Sequence, residues 1–414
     1  MAATVSLARL LELPENLQAE VVTRVRRRVL RHLLLATTKT RPLALMGLTS
    51  ISSTALMRCP VGVSRPLPLP SVTRLNVTTA FSDVLSDLLG CNPAFVGRLG
   101  IVEINKEAIV DARTISMFRD VPSMIVWQTS HPGVVDMFRE MSRFTSIRRL
   151  DLYLGEDEDE DGAGADVDVG TAAALALVSR NTSLEHLDIV WRPATYVSVA
   201  VSEFSSLKSL GVTGCSLHWQ DLLMQLQPLR SLTDLRLCVE APLLRESSPQ
   251  HDGITGLTCL LQPDGDDTGT YVEEICVLAK AVLNVRNLRL DPVGIQRASS
   301  TYDVFSAWGR HCTGVESLSL NWLHVAPVKF CAALHMCFGR LTTLMIAADE
   351  SHGGDFEGML CFLASKPNLQ AVTFSTKHSP SIERVADTVM ELFRRPRLFV
   401  FQSGWESDND DDDV

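Results

Sequence analysis

The sequence has no long hydrophobic run. Its apolar stretches are soon interrupted by charge, as in residues 29–36, which contain Arg31 and His32. A membrane-spanning helix needs roughly 20 consecutive apolar residues, and the N-terminus lacks the charged-then-apolar pattern of a secretory signal. We therefore predict a chain without a membrane span that resides in the cytoplasm and/or the nucleus.

The sequence also lacks the motifs of several chemical sites. There is no C-x-x-C pair among the ten cysteines, which argues against a disulfide framework and for a reducing compartment. No phosphate-binding glycine loop, nucleophile elbow or H-E-x-x-H motif occurs. One group of potential metal ligands lacks zinc-knuckle spacing; it comprises His311, Cys312, His324, Cys331, His335 and Cys337. Cys331 and Cys337 fall in the apolar helical run 330–338, and we interpret their thiols as buried. We predict no metal, no cofactor and no enzyme activity.

Basic charge is scarce, and no basic stripe is present. The formal net charge is 38 − 49 = −11. Eight acids fall within residues 156–168 and six more follow from Glu406, with no Lys or Arg in either stretch, so the remainder carries 38 − 35 = +3. The pattern predicts an acidic loop insertion at 155–170 and an acidic disordered tail at 405–414. A near-neutral body does not favour nucleic-acid binding.

A recurring apolar spacing is present along most of the chain. The pattern is apolar, two residues, apolar, one residue, apolar, and most successive copies begin 22 to 31 residues apart, with one step of 37 that contains the acidic insertion. The copies begin at Val72, Val96, Val121, Ile147, Leu184, Leu207, Leu232, Ile254, Val285, Val315, Leu341 and Leu369, and a last strand is predicted at 398–401. Helix-like apolar runs lie between them, at 81–88, 134–141, 219–226, 275–283, 330–338, 356–363 and 382–393. Such alternation predicts stacked strand–helix units, each too small to bury its apolar face alone.

This spacing resembles the leucine-rich-repeat family, most fully at Leu207-x-x-Leu210-x-Val212-x-x-Cys215-x-Leu217. The resemblance implies an α/β solenoid, or horseshoe, of about 12 strand–helix units over residues 72–404. Parallel strands would line a concave face that binds a protein partner. The residues flanked by the two apolar strand positions would face that partner; the predicted set is Asp151, Asp188, Arg236, Arg289 and Ser319.

The first 56 residues do not share this period and are predicted to be helical. A proline-rich linker at 57–71 separates them from the repeats. The Leu13-Pro14 opening resembles an F-box, a module that binds the Skp adaptor of ubiquitin ligases. That resemblance implies an apolar adaptor-binding set made of Leu13, Pro14, Leu17, Val21, Val22 and Val25. The alternative is a cap over the open end of the repeat core.

Two functions therefore remain open from the sequence. The first is a substrate receptor of a Skp-cullin-F-box ubiquitin ligase, which performs no chemistry itself. The second is a repeat scaffold or regulator of the ribonuclease-inhibitor-like type, without a role in ubiquitin transfer. Both are non-enzymatic and both depend on a protein partner.

Overall fold

The fold is taken from a computed structural model of the 414-residue chain. It describes residues 49–57, 69, 71–78, 83–105, 108, 112–127, 134–155, 183–192, 204–213, 224, 226–240, 250–262, 268–291, 298–320, 327–347, 356–376, 380–395 and 398–403. The chain divides into two compact units, Met1–Val199 and Ala200–Val414.

The first unit contains six described strands that pair in chain order, all parallel. They are β1 (Ser50–Ser52), β2 (Arg74–Val77), β3 (Ile101–Ile104), β4 (Ser123–Trp127), β5 (Arg149–Gly155) and β6 (His186–Arg192). Its described helices are α1 (Ser53–Met57), α2 (Asp83–Gly90), α3 (Pro93–Val96), α4 (Ala112–Met117) and α5 (Val134–Met141). At least one described helix lies between each two successive strands from β1 to β5, as the repeat pattern predicts.

The second unit repeats the arrangement with longer helices. Its strands are β7 (Ser209–Thr213), β8 (Asp234–Glu240), β9 (Gly256–Gln262), β10 (Asn287–Asp291), β11 (Ser317–Leu320), β12 (Thr343–Ala347), β13 (Ala371–Thr376) and β14 (Phe399–Ser403). They also pair in chain order and in parallel. The described helices are α6 (Thr268–Ala281), α7 (Ala298–His311), α8 (Pro327–Cys337), α9 (Phe356–Ser365) and α10 (Pro380–Leu392).

The apolar positions of the repeat are the core of each unit. In β5, Leu150 and Leu152 are fully buried, and Ile147 before the strand is buried as well. The same three positions are buried in the following copies, including the irregular copy that begins at Ile254. Alternate strand residues point to opposite faces of a sheet, so the intervening residues form an outward strand face. The predicted solenoid-like repeat of strands and helices is confirmed.

Backbone hydrogen bonds link each repeat to the next at the start of the strands. The carbonyl oxygen of Thr73 accepts bonds from the amides of Gly100, at 2.7 Å, and Ile101, at 3.0 Å. In the second unit the Thr255 carbonyl accepts from Arg286, at 2.8 Å, and Asn287, at 2.9 Å. One carbonyl per repeat thus satisfies two donors of its neighbour. Stacking therefore pairs backbone groups that a single repeat would leave without partners.

The predicted position of the second copy is wrong. The sequence pattern at Val96 placed Leu99 and Ile101 in the strand, but the buried strand residues are Val102 and Ile104, and Val96 ends α3. The same apolar spacing fits a copy that begins at Val96 and one that begins at Leu99, so the sequence is ambiguous here. Pairing of Arg74 with Ile101 in the β2–β3 register turns Ile101 outward and decides the alignment.

The N-terminal region also differs from the predicted boundaries. Strand β1 lies inside the segment 1–56 that the sequence predicts to be helical, and it pairs with β2. Only one apolar residue, Ile51, marks this strand in the sequence, so the repeat spacing gave no signal. The predicted adaptor-binding residues Leu13 to Val25 lie outside the described residues.

Other sequence predictions fall largely or wholly outside the described part of the chain. Gly155 ends β5, and the acidic residues that follow it, the tail 405–414 and Cys215 are not described. Of the linker 57–71, Leu69 is fully buried and its carbonyl accepts a bond from the Val72 amide. Within the described ranges, no helix has the length and apolar character needed to cross a bilayer.

Candidate functional site

The outward strand face of the first unit carries an aromatic pair. Trp127 ends β4 and stands in register with Tyr153 of β5. The two rings are stacked, with centroids 3.7 Å apart and planes inclined by 9°. Trp127 remains 38% exposed, which is unusual for the largest side chain in proteins. An exposed, stacked aromatic surface on a rigid strand is a feature of binding sites rather than of cores.

A carboxylate fixes the position of the Trp127 ring. The indole Nε1–H donates to Glu103 Oε1 at 3.0 Å, and the Arg74 guanidinium donates to Glu103 Oε2 at 2.5 Å. Glu103 is mostly buried, with 13% of its side chain exposed, whereas Arg74 is 38% exposed. Both carboxylate oxygens are therefore engaged in orienting neighbours. The ring and the guanidinium are held in place before any ligand arrives.

A second arginine–carboxylate pair lies on the next strand. Arg149 Nε donates to both oxygens of Asp151, at 3.2 and 3.0 Å, and its guanidinium lies 3.0 Å from Oδ2. The hydrogen bond to Asp151, together with the nearby Asp188 carboxylate, raises the pKa of Arg149 although partial burial opposes the shift. Arg149 stays 59% exposed while it covers Asp151. The surface thus presents the guanidinium and hides the acid.

The predicted partner-binding residues all lie in outward strand positions, but their exposure differs. Asp151 is only 5% exposed, because Arg149 covers it, and it stands in register with half-buried Asp188. In the second unit Arg236 and Arg289 are exposed and are separated by Thr258 in the paired strands. Ser319 is half-buried beside Arg289.

Sequence reasoning missed Trp127 and Tyr153. Both residues directly follow the last apolar position of their copies, Val126 and Leu152. Alignment of successive copies by that position would have placed the two aromatic rings side by side. The sequence interpretation considered only the residues between the apolar positions, and it therefore found Asp151 but not Tyr153.

The cysteines among the potential metal ligands named from the sequence pack as part of the protein interior rather than as a metal site. Cys312 is fully buried and its thiol contacts the carbonyl oxygens of Ala279 and Val282, at 3.6 and 3.5 Å. Cys331 is buried, as the sequence predicts, whereas the prediction for Cys337 is wrong because this residue is only half-buried. Burial raises the pKa of the Cys312 thiol to about 12, and partial burial also raises the pKa of Cys337. Such thiols are neutral at physiological pH and are poor metal ligands. Among the described residues no three His, Cys, Asp or Glu side chains are grouped so that they could hold a metal ion.

Comparisons with known proteins give structural neighbours only. No protein-family model matches the sequence, and no curated protein matches it. The chain is similar to the leucine-rich repeat-containing protein LegL7 of Legionella pneumophila, with a TM-score of 0.42 and 15% identity over 83% of this chain and 98% of that one. It is also similar to a leucine-rich-repeat protein of Leptospira interrogans, with a TM-score of 0.31 and 11% identity over 94% of this chain and 98% of that one. The strand order, the parallel pairing and the burial pattern of the described residues themselves show a solenoid-like repeat of parallel strands with helices.

Proposed function

We propose that this protein is a non-enzymatic interaction protein whose protein ligand binds the outward strand face of the first unit. The observation that carries the proposal is the exposed Trp127 ring, stacked on Tyr153 and hydrogen-bonded to Glu103. Trp, Tyr and Arg dominate the energetics of protein interfaces. On this face they occur together, as Trp127 and Tyr153 flanked by Arg74 and Arg149.

The fixed geometry favours binding because little side-chain freedom is left to lose. Glu103 holds Trp127 and Arg74, and Asp151 holds Arg149. Ordering a mobile side chain at an interface costs about 0.5–1.5 kcal/mol, a cost that is reduced here. The carboxylates also balance the two guanidinium charges, which disfavours a polyanion such as nucleic acid as the ligand.

A comparison of variants by affinity purification from cells tests this proposal. The full-length protein and Trp127→Ala would be compared with a control, Val400→Ala, at an exposed outward position on the strand face of the second unit. We expect a set of proteins that the wild type and the control retain and that Trp127→Ala loses. Equal recovery with all three proteins would refute the proposed surface.

A finer role follows from the N-terminal resemblance. We propose that residues 13–25 bind a Skp-type adaptor, so that the strand face presents a substrate for ubiquitin transfer in the cytoplasm or nucleus. The support is the Leu13-Pro14 opening with apolar residues at helical spacing after it. Full-length protein would be mixed with purified adaptor, beside the double variant Leu17→Asp, Val21→Asp. Binding by the wild type that is lost in the variant supports the adaptor role. Absence of binding by the wild type refutes it and favours the alternative, a repeat scaffold without a role in ubiquitin transfer.

A further inference from the structure

The helix layer of the second unit contains an open apolar cavity between α8 and α9. Its volume is about 250 Å³, near the lower limit of ligand pockets in proteins. Its apolar lining comprises Leu334, Phe338, Leu341, Phe362, Leu363 and Leu369. The volume suits a compact molecule rather than a peptide or a long lipid chain.

Two nitrogen-bearing side chains meet at this cavity. The Lys366 ammonium donates to Nδ1 of His335 at 2.5 Å and lies 4.6 Å from the centre of the Phe362 ring. The His335 ring itself contacts Phe362 edge-on, with centroids 6.5 Å apart. An ammonium group can only donate, so Nδ1 accepts this hydrogen bond and Nε2 remains as the ring's N–H donor. Lysine and histidine together therefore supply hydrogen-bond donors and one positive charge.

The positive charge of Lys366 has no acidic counterpart in the described part of the protein. No carboxylate among those residues forms a salt bridge with it. Partial burial lowers the pKa of Lys366, as expected for an ammonium group next to an apolar surface. A cation beside an apolar cavity is complementary to an anion that carries an apolar body.

Hydrogen bonds fix the backbone segments that border the cavity. The Asn368 side-chain amide donates to the carbonyl of Gly339 at 3.2 Å, which joins the segment after α9 to the segment after α8. Arg395 donates to the Lys366 carbonyl at 2.6 Å and to the Ala364 carbonyl at 3.0 Å, so the backbone at Lys366 is also fixed. The cavity walls are thus held by hydrogen bonds that a ligand need not supply.

We propose that this cavity binds a small apolar monocarboxylate. Its carboxylate contacts Lys366 and His335, and its apolar body packs against Phe362 and Leu334. The site is separate from the strand face proposed above to bind a protein, and neither proposal depends on the other.

Calorimetry on the full-length protein tests the proposal, with 2-naphthoate as the probe. We expect measurable binding, with 2-naphthylmethanol at least about tenfold weaker because it lacks the charge that pairs with Lys366. Lys366→Met should weaken 2-naphthoate binding by about tenfold or more. Lys366→Arg should retain it within about threefold, and Lys280→Met, a matched helical lysine in α6, should leave it unchanged.

The location of the probe is tested by protection of lysines from acetylation, read by peptide mass spectrometry. 2-Naphthoate should slow acetylation of Lys366 and leave Lys280 unaffected. The proposal is overturned by absence of 2-naphthoate binding, by equal affinity for the alcohol, or by protection that does not include Lys366. If Lys366→Met does not fold, the acid–alcohol comparison and the protection pattern on the wild type still decide the outcome.

Discussion

The two units are built from the same strand–helix repeat, but their candidate binding sites differ in position. The site of the first unit lies on the strand face, and that of the second unit lies in the helix layer. In the first unit the strand face carries the aromatic pair and two arginine–carboxylate pairs, and the described helices are short, none longer than the eight residues of α2 and α5. In the second unit the central outward row is Gly211, Arg236, Thr258, Arg289, Ser319, Met345, Thr373 and Val400. Its helices reach 14 residues in α6 and α7.

This difference shows that the repeat core constrains neither the strand face nor the helix layer. Three apolar positions per copy satisfy the core, so outward strand residues and helix lengths change without loss of the fold. The first unit uses this freedom for a preorganised strand surface. The second uses it for a thicker helix layer that contains an open cavity.

The largest expected effect concerns the helix layer of the second unit. A Cβ atom at Gly309 would clash with Cys337 Cβ and lie 2.8 Å from Cys337 Cα, so the close approach of α7 and α8 at this point requires a residue without a side chain. We expect Gly309→Val to lower the free energy of unfolding by about 3 kcal/mol. Urea denaturation measures the loss.

Gly314→Ala is the matched control for that variant. Its Cβ would meet nothing closer than the Val285 carbonyl oxygen at 3.8 Å, and we expect a change within about 0.5 kcal/mol. Equal effects of the two substitutions would show that the close helix contact is not what limits the second unit.

A somewhat smaller effect is expected on the strand face of the first unit. Glu103→Ala removes the acceptor of both Trp127 Nε1 and Arg74, and we expect a loss of about 2 kcal/mol of stability. Trp127 should also become more accessible to acrylamide quenching, and the near-ultraviolet dichroism of the Trp127–Tyr153 stack should weaken. Glu103→Gln keeps an acceptor for the indole and should change these signals less. An unchanged spectrum in Glu103→Ala would contradict the positioning role.

The helix layer of the first unit should be less sensitive than that of the second. Ser86 and Thr114 share a buried hydroxyl–hydroxyl hydrogen bond of 2.9 Å between α2 and α4. Ser86→Ala leaves the other hydroxyl without this partner and should cost about 1 kcal/mol. Denaturation of Ser86→Ala beside Gly309→Val measures the contrast, and a larger loss in Ser86→Ala would reverse the ranking of the two layers.

The last effect is a dependence of stability on pH that arises in the second unit and is negligible at neutral pH. The pKa of Cys312 is about 12 in the folded chain against an ordinary value of 9.0. Since the unfolded thiol ionises first, the stabilisation is complete below about pH 9 and is lost as the pH rises toward about 12. Cys312→Ala should reduce this loss between about pH 8.5 and 10.

The rates of thiol labelling should also differ between a cysteine of the first unit and one of the second. At pH 8 exposed Cys91 in the first unit should react rapidly with iodoacetamide, whereas buried Cys312 should react only through opening of the structure. Peptide mass spectrometry gives both rates in one sample. Comparable rates would show that the second unit opens readily around Cys312.

The repeat was predictable because its signal recurs many times. The buried residues of β4, β5 and β8 follow directly from the apolar spacing, and even the poor copy at Ile254 forms a strand. Where several apolar residues crowd together, as around Ile101, the same spacing fits two alignments. Strand β1 was missed because one apolar residue among serines and a threonine has no period to detect.

The candidate sites were less predictable than the fold. The sequence proposes Asp151 and Arg236 as partner-binding residues, which stays a prediction, and it gave no sign that Arg149 covers Asp151. The cavity by Lys366 was also not predicted, because it depends on the gap between two helices and on the position of His335, 31 residues earlier in the chain.

Apart from β1 and the copy around Ile101, the sequence alone determined which strand side chains are buried and that strands recur with helices between them. Which side chains of a strand or helix are buried depends on the spacing of apolar residues along the chain, and this spacing can be read directly from the sequence. Only the tertiary structure decided which residues of successive repeats become neighbours. Trp127 stacks on Tyr153, and Glu103 orients Trp127, because strand register brings residues some 25 positions apart into contact, and that register is set by the pairing of whole strands rather than by any single residue.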